Sequence, residues 1–202
     1  MLKIAVLVSG GGTNLQSIID AIENAEINAE IKMVIGNKEG IYALERAKAY
    51  HIKTFVVDKN SEDNFSDRIL KIVDGQIDLI VLAGFLAILD GDILKKFNNK
   101  IINIHPSLIP SFCGPGMYGL KVHEAVIKSG VKFSGCTVHF VNDEVDGGAI
   151  LLQDIVPVYF QDDAKSLQKR VLEKEHKLLP KAIKLIEENK VTIVDERIKI
   201  EE

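Results

Sequence analysis

The chain of 202 residues is 47% hydrophobic and 27% charged, with a formal net charge of −4, fifteen glycines, five prolines and no tryptophan. That apolar content can bury a core, and glycines without a three-residue period exclude a collagen-like chain as the modest net charge excludes a disordered one. Twenty-five Lys and Arg against 29 Asp and Glu, with no dense basic block, leave no electrostatic footprint for a nucleic-acid backbone, so small molecules are the expected partners.

The longest apolar stretch, residues 77–89, is interrupted by Asp78 and Gly84 and bounded by Gln76 and Asp90. It falls short of the ~20 residues a membrane span needs. The N-terminal MLKIAVLVSGGG has a brief apolar core running into a glycine-rich turn, which reads as a buried strand rather than a signal peptide, and a cytoplasmic protein with no membrane partner is expected. Cys113 and Cys136 lack metal-binding CxxC spacing and read as free thiols of a reducing compartment.

In chain order, residues 3–8, 31–35, 54–57, 79–82 and 101–104 are short β-branched runs predicted to be strands buried on both faces. Between the first two, residues 14–26 carry Leu15, Ile18, Ile19 and Ile22 at helical spacing behind an N-cap at Thr13 or Asn14. Residues 41–50 and 61–73 follow the same period. Strand and helix in alternation require crossover connections, which predicts an α/β fold with a Rossmann-like, doubly wound and mainly parallel sheet. After residue 110 the pattern changes. SFCGPGMYG is too turn-rich for a regular element, 120–129 is helical, and 134–141 and 149–159 form an antiparallel hairpin around NDEVDGG. Residues 164–190 are helical, and Pro180 predicts a broken terminal helix or two short ones. A single domain, 1–202, with halves 1–110 and 111–202, is expected.

The segment Ser9 to Asn14, SGGGTN, lies between the first strand and first helix, where bare N–H groups and the helix dipole favour a phosphate. It lacks the Gly-Lys-Ser/Thr of a Walker loop, Leu15 stands where a dinucleotide fingerprint has its third glycine, and the second strand ends in Gly36-Asn37-Lys38 without a ribose-binding acid. A nicotinamide cofactor is therefore disfavoured. A ligand-free βα turn is the bland alternative. Asn103 and His105 project to one side at the carboxyl end of the fifth strand, Ile104 to the other, and Pro106 stops the strand. A carboxamide and an imidazole together at this edge suit a developing oxyanion and a proton transfer, although each alone reads as a capping polar group. A carboxylate from the hairpin loop would favour the imidazolium form of His105. Spacing leaves Asp143, Glu144 and Asp146 open for that part. His139 reads as a core histidine, His51 as a surface residue and Cys113 as a bystander thiol. His123 in VHEAV lacks the second histidine of a zinc-protease helix, and a metal on His105, His139 and Asp146 has no sharp ligand spacing behind it.

SGGGTNLQSIID, GNK at 36–38, VLAGFLAIL at 81–89, INIHPSLIP at 102–110, TVHFVNDEVDGGAILLQ at 137–153 and EKEHKLLP at 173–180 together resemble the folate-dependent formyltransferase superfamily. Specifically, they resemble its phosphoribosylglycinamide formyltransferase family, and the likeness runs from residue 1 to about 190. It implies transfer of a formyl group from 10-formyltetrahydrofolate, the co-substrate, to the amine of glycinamide ribonucleotide in purine biosynthesis, with no metal and no covalent intermediate. It implies that Asn103, His105 and Asp146 are catalytic, selecting Asp146 among the three acids. Gly12, Thr13 and Asn14 match the substrate-phosphate residues and Glu175 a ribose contact. The folate is implied against Leu86, Ala87, Ile88 and Leu89, with Asn103, Asn142 and Asp146, so the half before residue 111 would bind the nucleotide phosphate and the rest carry folate and catalytic loops. Ala87 stands where an arginine is common, and Asp63 and Leu172 also depart from the family pattern. A formyltetrahydrofolate hydrolase or a catalytically silent folate or nucleotide binder are the alternatives, and a monomer or homodimer is expected.

Overall fold

The computed structural model describes residues 1–58 and 64–201. The start of the helix expected at 61 and the departure at Asp63 lie outside the described residues. The chain divides into two compact units, Met1–Asn103 and Ile104–Glu202.

The first unit runs β1 (Leu2–Val8), α1 (Thr13–Glu23), β2 (Ala29–Gly36), α2 (Tyr42–Ala49), β3 (Thr54–Val56), α3 (Phe65–Val73), β4 (Leu79–Leu82), α4 (Asp92–Lys96) and the first three residues of β5 (Ile101–His105). Its strands stand in the order β3-β2-β1-β4-β5, and each neighbouring pair is parallel. Ile4 to Val8 are fully buried, because a central parallel strand is covered by helices on both faces. Leu15, Ile18 and Ile19 form the buried face of α1 at the expected spacing. Strand order reverses between β1 and β4, and β1 leads into the glycine loop at that reversal. Ligands of open α/β sheets gather at such a point. The short helix α4 carried no signal strong enough to be predicted.

In the second unit the last two residues of β5 are followed by α5 (Leu120–Ser129), β6 (Phe133–Phe140), β7 (Ile150–Pro157), α6 (Ala164–Glu187), β8 (Val191–Val194) and β9 (Arg197–Ile200). Among the described residues the sheet order continues β5-β6-β7. β6 and β7 are the expected antiparallel pair, Gly135 opposite Ile155. A Cβ at Gly135 would stand 2.0 Å from the Asp154 carbonyl, so only glycine fits there.

The expected break at Pro180 is corrected: α6 is one helix of 24 residues with Pro180 inside it. Proline removes one ladder bond, but Leu178, Leu179, Ala182 and Ile183 on either side are buried, and the packing of α6 on β6, β7 and α5 outweighs the local penalty. Asp163 opens the helix with a capping box, accepting from the Ser166 N–H at 2.7 Å. The antiparallel β8-β9 hairpin was not predicted.

Candidate active site

In the first unit the glycine loop joins β1 to α1. Gly12 is the N-cap of α1 with φ +73°, and a Cβ there would lie 2.6 Å from the Cβ of Ala43. Glycine is thus obligatory at 12 for packing as well as conformation. Gly10 and Gly11 are different, since a Cβ on either would meet nothing within 4 Å. Thr13 is exposed and Asn14 buried in the first turn of α1. The loop is tied to the segment after β4 by Leu86 N–H, which donates to Ser9 Oγ at 2.9 Å. In that segment Leu86 and Ile88 are 56% and 60% exposed, whereas Ala87 and Leu89 are buried. Asn103 is half-buried on β5 and lies opposite Leu82 of β4 in the register.

In the second unit His105 ends β5 and is 4% exposed. Its Nε2 donates to the main-chain carbonyl of Phe112 at 2.9 Å, and its Nδ1 lies 3.5 Å from Asp146 Oδ2. That carboxylate oxygen also accepts from Gly114 N–H at 2.9 Å. Residues 111–119 therefore hold both groups through main-chain atoms, a role the sequence left unsettled. A polar network fixes the start of this loop. Thr137 Oγ on β6 donates to Ser107 C=O at 2.7 Å and accepts from Ile109 N–H at 3.1 Å, while Ser107 Oγ donates to Ser111 C=O at 2.6 Å.

The acid closest to His105 in the sequence-derived set is Asp146, and its backbone is left-handed at φ +59°. Asp143 and Glu144 are exposed. Asn142 Oδ1 accepts from Glu144 N–H at 3.0 Å, which makes it a turn-forming residue here. The close backbone approach that Gly148 permits is to the Phe140 carbonyl, 1.9 Å from where a Cβ would be. Glu175 lies on the buried face of α6, 7% exposed.

Two histidines passed over by sequence reasoning belong to this neighbourhood. His139 is buried as expected, but its Nε2 also lies 3.7 Å from Asp146 Oδ1, while its Nδ1 donates to Phe140 C=O at 2.8 Å. Burial keeps its pKa below the usual imidazole value, outweighing the Phe140 hydrogen bond and the charge of Asp146, which both raise it. His123 on α5 is 1% exposed, its Nδ1 has no hydrogen-bond partner, and burial followed by repulsion from His105 pushes its pKa down to about 4. The Cys113 thiol is raised by burial and then by the charges of Asp146 and Glu144, which keeps it protonated and a poor nucleophile.

An imidazole held between a carbonyl and a carboxylate, on a strand that carries a carboxamide two residues earlier, is suited to moving a proton to an oxygen that gains charge. The formyl transferase family profile matches residues 2–183. The chain belongs to the formyl transferase family. It is 42% identical over 202 residues to a phosphoribosylglycinamide formyltransferase of Haemophilus influenzae, covering 96% of this chain and 92% of that one. It is also 42% identical over 198 residues to the trifunctional purine biosynthetic protein adenosine-3 of Gallus gallus, covering 95% of this chain but only 19% of that much longer protein. Among solved structures, glycinamide ribonucleotide transformylase 1 from Symbiobacterium toebii superposes with a TM-score of 0.94 at 37% identity, covering 100% of this chain and 95% of that one.

Proposed function

We propose that the chain transfers the formyl group of 10-formyltetrahydrofolate to the amine of glycinamide ribonucleotide, in purine biosynthesis. The observation that carries this reading is the position of Asp146 Oδ2, 3.5 Å from Nδ1 of a ring whose Nε2 already donates to the Phe112 carbonyl. An imidazole facing acceptors at both nitrogens is placed to donate a ring N–H on either side.

The formyl donor supplies an activated carbonyl carbon; the chain positions and protonates around it. His105 offers a ring N–H and Asn103 a carboxamide N–H to the formyl oxygen as it gains negative charge under attack by the amine. The Phe112 carbonyl is the partner the ring exchanges for that oxygen. Asp146 holds the ring and, through water, helps carry the proton from the attacking amine to the departing folate nitrogen, so that the C–N bond formed and the C–N bond broken balance.

Gly12, Thr13 and Asn14 seat the substrate phosphate at the N-terminus of α1, beside Gly10 and Gly11, where no side-chain contact compels glycine. Glu175 takes the ribose hydroxyls. The pterin lies against Leu86 to Leu89; the exposed aliphatic chains of Leu86 and Ile88 fit a flat heteroaromatic ring, and reading by main-chain groups tolerates Ala87.

The test is to mix the protein with 10-formyltetrahydrofolate and glycinamide ribonucleotide and follow tetrahydrofolate release. Release that requires both is expected. Loss of formyl without the amine identifies a hydrolase, and absence of turnover in either mixture identifies a silent binder; either result overturns the reading.

A further inference from the structure

Three glycines in a row give the loop at 10–12 no conformational preference of its own. A phosphate seat needs the opposite, because it is favourable only while the amide N–H groups face the anion and the carbonyl oxygens face away. A peptide plane between two glycines rotates at little cost, and one that turns its carbonyl inward places negative charge against the phosphate. Something outside the loop must therefore fix its planes.

Helix α2 does this at two adjacent carbonyls. Ala43 N–H donates to the Gly10 carbonyl at 3.1 Å, and Arg46 Nε donates to the Gly11 carbonyl at 2.9 Å. Ala43 also packs where a Cβ of Gly12 would be, so the helix presses on the third glycine while it holds the first two. The guanidinium is itself held in place. Arg46 Nη1 donates to Gln16 Oε1 at 3.0 Å, Gln16 Nε2 donates to Asp20 Oδ1 at 2.8 Å, and the guanidinium carbon stands 4.7 Å from the centre of the Tyr42 ring. Arg46 is thus a half-buried cation joined to the loop and to α1, the two elements that frame the phosphate seat.

We infer that Arg46 is a positioning residue for the substrate phosphate: it holds the Gly11 carbonyl away from the anion and places a fixed positive charge behind the loop. It acts through the loop, not by touching the phosphate. This rests on the assignment of residues 12–14 as the phosphate seat and adds the residue that keeps that seat in register.

The test compares the full chain with Arg46→Met, which keeps an unbranched aliphatic stem but removes the charge, the donors and the group over Tyr42, and with Arg46→Lys, which keeps the charge. Each is assayed for formyl transfer to glycinamide ribonucleotide and to its dephosphorylated form, glycinamide riboside. Loss of a charge-assisted hydrogen bond predicts a KM for the ribonucleotide raised about tenfold in Arg46→Met, with Arg46→Lys between it and the parent. The KM for 10-formyltetrahydrofolate, kcat, and kcat/KM for the riboside stay within about twofold. Equal losses on both acceptors, or no loss on either, overturn the inference, because a merely structural role does not discriminate by phosphate. Should Arg46→Met fail to fold, Arg46→Lys decides by the same ratio of the two acceptors. A parent protein that uses riboside and ribonucleotide equally well overturns the phosphate seat itself. A parent that prefers the ribonucleotide beside an indifferent Arg46→Met overturns only the part given to Arg46.

Discussion

His105 and Phe112 are joined seven residues apart, ring Nε2 to main-chain carbonyl at 2.9 Å, so the loop that follows β5 fixes the tautomer and direction of the ring at the strand's end. A carbonyl only accepts, which places a proton on Nε2 and leaves Nδ1 turned to Asp146. The ring is held by the chain on both sides and keeps its orientation without substrate.

Replacing that ring removes the proposed proton donor. His105→Asn leaves an amide where Nδ1 stands beside Asp146 but no titrating group and no N–H for the Phe112 carbonyl, and kcat for formyl transfer is expected to fall ~10²-fold or more. Circular dichroism and thermal melting should remain close to the parent. Near-normal single-turnover transfer by a folded His105→Asn protein removes His105 from the mechanism.

Asp146→Asn isolates the charge. Asparagine tolerates the left-handed backbone at φ +59° and its carbonyl can accept from Gly114 N–H as the carboxylate does, so the loop should keep its shape. What is lost is the negative charge beside His105 and His139. The expected result is a ~10²-fold loss of kcat with little change in the urea midpoint. A loss of stability as large as the loss of rate would mark the residue as structural.

The three loop glycines should separate stability from binding. Gly12→Ala combines a positive φ of +73° with a contact of 2.6 Å to the Ala43 Cβ. The strain and overpacking should cost about 2–4 kcal/mol, read as a lower urea midpoint. Gly11→Ala meets no atom within 4 Å and should leave the midpoint unchanged while raising the KM for glycinamide ribonucleotide. An unaltered KM for that variant argues against a ligand at the loop.

Much of this arrangement is local and therefore legible in the sequence. The buried run Ile4 to Val8, the glycine turn after it, and Asn103 and His105 two apart at a strand end are all patterns of neighbours. What was not legible depends on distant parts of the chain. Asp146 is distinguished in the fold from Asp143 and Glu144 by its contact with Gly114, 32 residues away, which no spacing records. Pro180 is a strong local signal overruled by tertiary burial along α6. The β8-β9 hairpin turns through Asp195 and Glu196, both at positive φ, without the glycine or asparagine that ordinarily announces such a turn.

His123 predicts how the fold responds to acid. Its pKa in the folded chain is pushed down to about 4, first by burial and then by His105, whereas the unfolded chain titrates it at the ordinary value of 6.5. Between those values the unfolded chain binds a proton that the native state refuses, so the contribution is complete above pH 6.5 and is lost as pH falls toward 4. The ceiling is about 3 kcal/mol. His139, lowered by its own burial, acts in the same direction. Urea midpoints at pH 7.5 and 4.5 should therefore differ less in His123→Leu, which fills similar space with no proton to take up, than in the parent. The remaining titrating groups are common to both proteins and cancel in the comparison. An equally steep acid loss in the variant assigns the effect to other groups and frees His123 from it.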